Sequence, residues 1–201
     1  MPSGVHPTGG AGGPGSRDPD TGEGLREGKY ARIERERRFL LAEPPLVTAG
    51  TAARLITDRY VTGTRIRLRL TQQEDTRALH YKLTQKVPSE QHHGGIQGLI
   101  TNIYLDRFEY ELLAGLPCVV LSKTRYSVPP MGIDVFHGHL GGLVMAEAEF
   151  TSDTACDCFV PPSYCLVEVT DDLRFTGGHL ARTDREELRG WLVELGVASA
   201  T

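Results

Sequence analysis

The chain has 201 residues, 39% hydrophobic and 24% charged, a length that suits one domain with a tail and a composition ordinary for a globular protein. Its formal charge of −4 argues against a general affinity for nucleic acid, so any polyanion site must come from how the 22 basic residues are arranged. No apolar run approaches the roughly 20 residues that span a bilayer and the N-terminus has no apolar signal core, so the expectation is no membrane partner and a reducing cytoplasm.

Residues 1–28 hold nine glycines and four prolines. Such a segment cannot bury enough surface to offset its ordering entropy, which predicts a disordered Gly/Pro-rich tail and a folded domain over 29–201. The domain opens with Ile33-Glu34-Arg35-Glu36-Arg37-Arg38-Phe39-Leu40-Leu41. In a strand, alternate side chains fall on opposite faces, so Glu34, Glu36 and Arg38 share one face and Arg35 and Arg37 the other. Charge is costly to bury unless paired or bound to a metal, so this face suits the wall of a wet cavity. In a helix the same residues would be a plain solvated surface. The strand is favoured because the alternation returns at least four more times.

Glu43-Pro44-Pro45 ends the first strand. Ala53–Val61 reads as the next strand, and Thr64–Leu70 is the cleanest alternation, with Arg65, Arg67 and Arg69 opposite Ile66, Leu68 and Leu70. His80–Lys86 places Lys82, Thr84 and Lys86 on one face. Residues 89–95 form an exposed loop in which His92-His93 reads as solvated rather than metal-binding. After a strand over Ile96–Leu105, Asp106 caps a short helix stopped by Gly115-Leu116-Pro117. Val119–Val128 aligns Lys123 and Arg125, and Met131–Phe136 carries Asp134. Leu143–Phe150 puts Glu147 and Glu149 opposite Val144, Ala146, Ala148 and Phe150. Cys165–Thr170 is a last strand with Glu168, residues 171–182 are irregular, and Thr183-Asp184 caps an amphipathic helix. The chain therefore reads as mainly β with small α additions. Cys156-x-Cys158 with Cys165 nearby lacks a second ligand pair, so the four cysteines read as reduced thiols rather than a zinc site.

Acidic positions 34/36 and 147/149 and basic positions 65/67/69, 82/86 and 123/125 thus occupy alternate places on separate strands. In a flat sheet they would form an exposed face; in a closed barrel they would line the interior. The opposite faces are aliphatic and need cover, and the bases outnumber what pairing to these acids would use. That excess points to an anionic ligand. Arginine forks and lysine point charges suit phosphate oxygens, and clustered carboxylates suit a hard divalent cation.

The ordered series Glu34-x-Glu36-x-Arg38, Arg65-x-Arg67, Leu83-Thr84-Gln85-Lys86, Lys123-Thr124-Arg125-Tyr126, Asp134-x-Phe136-x-Gly138, Gly142-Leu143-Val144-x-Ala146-Glu147-x-Glu149 and Glu168-Val169-Thr170-x-Asp172-x-Arg174-Phe175 resembles the CYTH family, the triphosphate tunnel metalloenzymes, over about residues 30–182. The resemblance implies an eight-stranded antiparallel β-barrel tunnel with short helices packed outside. It also implies Mg²⁺- or Mn²⁺-dependent hydrolysis of a triphosphate-containing small molecule. The family also includes class IV adenylate cyclases, and a polyphosphate- or nucleotide-binding module with little catalysis is the third reading. By position, Glu34, Glu36, Glu147 and Glu149 would hold the metal. Arg38, Arg65, Arg67, Arg69, Lys82, Lys86, Lys123, Arg125 and Arg174 would hold the triphosphate (Lys82 by strand parity alone), with Asp134 and Glu168 as supporting acids. Three departures stand out. The strand at Ile100–Tyr104 has no acid where the family commonly carries a glutamate that helps place the attacking water. Gly132 replaces another glutamate, and Gly177-Gly178-His179 replaces an Asn-containing stretch. The oligomeric state is open.

Overall fold

Period-two patterning builds eight antiparallel strands: β1 (Arg32–Leu41), β2 (Ala53–Val61), β3 (Ile66–Gln73), β4 (Leu79–Pro88), β5 (Ile96–Leu105), β6 (Cys118–Val128), β7 (Met131–Phe136) and β8 (Val144–Glu149). The computed structural model describes residues 28–44, 48, 50–89 and 95–197. The expected tail over 1–28 lies outside these apart from Gly28, as does the His92-His93 pair. The strands are hydrogen-bonded in the order β5-β4-β3-β2-β6-β7-β8-β1, and β1 pairs back onto β5. This closes an eight-stranded barrel and leaves no open edge among those strands.

The closing seam has a local cause. The register of β1 against β5 slips between Glu34 and Arg35, which lets β1 leave β5. Gly98 lies at this seam with φ +131, and a Cβ there would overlap the Val87 carbonyl oxygen. Only glycine fits. Beyond the seam, the two-residue β9 (Val167–Glu168) takes over the freed edge of β1 at Phe39 and Leu40.

Parity divides the side chains into three groups. Outward Phe39, Leu41, Ile133, Ala146 and Ala148 are buried beneath Phe150, Phe159 and Tyr164, residues of the segment that follows β8. Inward Leu40, Leu121, Phe136 and Met145 form an apolar plug at one end of the barrel, together with Phe175, Leu180, Leu188 and Leu192. Those partners come from a 3₁₀ turn (Leu173–Phe175) and from α3 (Gly177–Leu180) and α4 (Arg185–Glu194), which cap that end. Most of the charged side chains of the barrel occupy the remaining inward positions, among neutral residues such as Thr84 and Asn102.

Both expected helix starts are present. α1 (Arg107–Ala114) begins in a capping box between Asp106 and Glu109, and α4 in one between Asp184 and Glu187. α1 lies on the outside of β3 and β4, with Tyr110 against Tyr81. Three differences from expectation lie in the C-terminal third of the chain. The last strand shrinks to two residues because the Thr170 hydroxyl, not a backbone carbonyl, accepts the Arg38 N–H. α2 (Asp153–Asp157) is extra and is capped by Ser152. The irregular stretch over 171–182 contains the 3₁₀ turn and α3.

Candidate active site

Strand register brings the acids together. On β1 and β8, Glu36 lies opposite Glu149 and Arg38 opposite Glu147. On β6 and β7, Arg125 lies opposite Asp134. Asp134 is fully buried and accepts Lys123 Nζ at 2.5 Å and Arg125 Nε at 2.6 Å. The Arg125 guanidinium continues to Glu147, whose Oε1 also lies 3.8 Å from Lys123 Nζ.

A second network covers the opposite wall. Asp58 on β2 is 1% exposed and takes Arg69 as a fork, at 2.6 and 2.7 Å. Arg67 Nε lies 3.6 Å from the same carboxylate, and its Nη2 donates to Thr84 Oγ1 at 3.2 Å. Thr84 in turn donates to Asn102 Oδ1 at 2.8 Å. Lys86 Nζ reaches past β5 to both oxygens of Glu34, at 2.8 and 2.7 Å.

Towards the unplugged end the networks open into a cavity of about 270 Å³ lined by Arg54, Arg69, Lys82, Tyr104, Arg125 and Glu149, among others. Among the described residues neither Arg54 nor Lys82 has an ion-pair partner. Burial, and then the charges of Arg69 and Arg67, push the Lys82 ammonium down to about 8. Burial likewise lowers Arg54, with Arg125 and Arg69 adding repulsion. Unpaired cations that repel one another in a concave site attract anions.

The interior carboxyls diverge. Burial alone would raise Glu147, but Arg125 and Lys123 outweigh it and hold the group well below the usual carboxylate range. Asp58 is likewise held low by Arg69 and Arg67 against its own burial. Glu36 goes the other way: burial raises it, Lys86 only partly offsets this, and the neighbouring Glu34 and Glu147 raise it further.

No family model matches the chain. It is, however, 36% identical to the inorganic triphosphatase of Nitrosomonas europaea over 158 residues, covering 74% of this chain and 96% of that protein. The chain belongs to the CYTH family. Among solved structures, it is similar to the crystal structure of an inorganic triphosphatase, with 33% identity, a TM-score of 0.49, and 76% of this chain and 96% of that one covered. A protein from Pyrococcus horikoshii is more distant, with 20% identity, a TM-score of 0.41, and 83% and 92% covered.

The CYTH barrel gathers Glu34, Glu36, Glu147, Glu149, Arg67, Arg69, Lys82, Lys86, Lys123, Arg125 and Asp134 on its inner wall, as alternation from the paired registers requires. Three expected residues are placed otherwise, and a fourth is inward but engaged in the fold. Arg65 precedes β3 and is exposed, because the strand begins at Ile66 rather than at Thr64. Glu168 lies on the outer face, where Arg37 grips it through two hydrogen bonds at 2.8 and 2.6 Å, because β9 pairs it opposite the outward Phe39. Arg174 is held by Asp172 and by Glu194 of α4 and stacks on Trp191 of that helix, so it braces the cap. Arg38 does point inward, but it donates to the backbone carbonyls of Thr170 and Phe175 at 2.5 and 3.1 Å and thereby ties the barrel to its plug.

Asp58, Arg54, Thr84 and Asn102 went unassigned at the sequence level. The inward face of β2 reads Arg54, Ile56, Asp58, Tyr60, a mixed series without a single-sign signature. Only the parity of β2 against the arginines of β3 could have raised Asp58.

The four glutamates supply only oxygen donors, which suit a hard divalent cation. The crowding of Glu36 by Glu34 and Glu147, only partly offset by Lys86 and by Arg38 at 3.8 Å, is what such a cation would relieve. As the side chains stand, no three acids, histidines or cysteines among the described residues converge closely enough to hold an ion. Glu34 is drawn to Lys86, and Glu147 to Arg125. The donor set fits a cation once those ion pairs open.

Proposed function

We propose that this chain is a divalent-metal-dependent hydrolase of triphosphate-containing substrates, with inorganic tripolyphosphate as the first candidate. The observation that carries the reading is the convergence of Arg67, Arg69, Lys82, Lys86, Lys123 and Arg125 from three strands into one closed chamber beside the four glutamates. The Nitrosomonas protein it resembles, named an inorganic triphosphatase, supports the same reaction class.

Phosphoryl transfer needs positioning and charge stabilisation more than a protein nucleophile. Asp58 and Asp134 hold Arg69, Arg67, Lys123 and Arg125 at fixed stations, so their donors are pre-arranged for phosphate oxygens. Lys82 and Arg54 at the wider end draw the anion inward. Glu34, Glu36, Glu147 and Glu149 would hold Mg²⁺ or Mn²⁺, which would neutralise phosphate charge and act as a Lewis acid. The plug formed by Leu40, Leu121, Phe136 and α4 closes one end, so substrate enters from the other.

The test is a substrate panel with metal titration. Phosphate should be released from tripolyphosphate with Mg²⁺ or Mn²⁺ and not with chelator. Cyclic AMP formed from ATP, or tight binding without any product, would overturn the hydrolase reading.

A further inference from the structure

The residues assigned to the metal and those assigned to the phosphates are bonded to each other. Lys86 Nζ is 2.7 Å from one Glu34 oxygen and 2.8 Å from the other. Arg125 bonds Glu147, and Lys123 approaches the same carboxylate at 3.8 Å. These contacts join separate regions of the barrel: Glu34 is on β1 and Lys86 on β4, with β5 between them. The reach passes Gly98, which faces Glu34 in the register and has no side chain to obstruct it. Asp58 and Asp134 differ in kind. They are 1% and 0% exposed and are enclosed by the cations they compensate.

Two of the four metal-assigned carboxylates are therefore neutralised by cations that phosphate would use. A cation arriving alone must displace Lys86 and Arg125. A polyanion arriving alone must draw Lys86 away and compete with Glu147 for Arg125, which leaves Glu34 and Glu147 less compensated beside Glu36. When both arrive, each takes the partner that the other has released.

We propose that metal and triphosphate bind this chamber with strong positive coupling, the Glu34–Lys86 and Glu147–Arg125 ion pairs acting as the exchange elements through which each ligand prepares the site for the other. This rests on the functional reading above and extends it to how the site loads. Coupling of this kind is reciprocal: the factor by which the metal tightens triphosphate equals that by which triphosphate tightens the metal, about 5- to 150-fold in typical cases. The Lys86 side chain is 39% exposed, so it can swing clear at little structural cost.

The experiment is direct binding on the full chain, with no turnover measured. Mn²⁺ affinity is read from the free-ion paramagnetic resonance signal, and tripolyphosphate affinity by calorimetry in chelator. Lys86→Met is expected to bind Mn²⁺ about fivefold or more tightly than the parent, the low end of typical coupling, and metal-free tripolyphosphate more weakly. Glu34→Gln should do the reverse, weakening Mn²⁺ and tightening metal-free tripolyphosphate. Lys82→Met controls for the general field, since it removes an inward cation with no acid partner among the described residues and should shift Mn²⁺ affinity several-fold less than Lys86→Met. Circular dichroism and thermal melting confirm that each variant is folded. Equal shifts in Lys82→Met and Lys86→Met, or weakened tripolyphosphate binding in Glu34→Gln, would overturn the coupling while leaving the hydrolase reading in place. A parent chain that binds neither ligand would overturn both.

Discussion

Asp58 and Glu36 are both carboxyls inside the barrel, and their neighbours drive them in opposite directions. Asp58 sits against two guanidiniums, and its carboxyl is held far below its ordinary value of 3.8. A lowered folded value means that the ionised form is bound more tightly in the folded state, so this contribution is present above the unfolded value and is lost as pH falls through the folded one. Asp58→Asn should cost about 3–5 kcal/mol, because it leaves Arg69 buried without its counter-charge. It should also flatten the loss of stability below about pH 4. Urea unfolding at several pH values checks both. Glu36 is raised above its ordinary 4.5 by burial and then by Glu34 and Glu147. Folding therefore favours its protonated form more than the unfolded chain does, so stability is fully present below the unfolded value and falls as pH rises through the folded value. Glu36→Gln should therefore raise the melting temperature at neutral pH while weakening Mn²⁺ binding. A lower melting temperature would contradict the repulsion assigned here.

At the scale of elements, the seam between β1 and β5 carries the closure. The cross-strand pairs of β1 with β8 run in register from Glu36 to Leu41, whereas those with β5 break after Glu34. Gly98 allows that break, since its φ of +131 and its contact with the Val87 carbonyl both exclude a side chain. Gly98→Ala should cost roughly 1–3 kcal/mol, the ordinary penalty for a residue forced into such a conformation. The loss should be visible in chemical denaturation and accompanied by weaker tripolyphosphate binding, because Lys86 and Glu34 flank the same seam. A further element, α4, matters through its apolar stripe: Leu188 and Leu192 are 3% and 4% exposed against the plug. Leu192→Ala should cost about 2–5 kcal/mol through the lost burial and the cavity left behind.

The whole molecule divides its barrel between two duties. One end is apolar and filled by α3, α4 and inward aliphatic residues, which supplies cohesion. The other end carries more cations than carboxylates, and Arg54 and Lys82 there repel their neighbours. A polyanion should therefore stabilise the entire fold. Tripolyphosphate at about 100 times its dissociation constant should add about 2.7 kcal/mol to unfolding, and metal together with it should add more than the two separately. Scanning calorimetry at rising ligand concentration reads this directly.

Much of this was legible in the sequence. Alternation identifies a face from neighbours two residues apart, so the strands, the acid pairs at 34/36 and 147/149 and the basic rows on β3, β4 and β6 could be read without partners. Helix starts at Asp106 and Asp184 were equally local, since a cap needs only the first turn. What the sequence could not carry was register and depth. Arg65, Glu168 and Arg174 hold charges like their neighbours, yet one falls just before a strand, one pairs on the outer face and one braces a helix. Asp58 stands in a strand of mixed character and becomes a buried anchor only because β2 is laid beside β3. Parity is a property of one strand, whereas burial and pairing belong to strands that the chain brings together from far apart, and only barrel closure decides which charges meet.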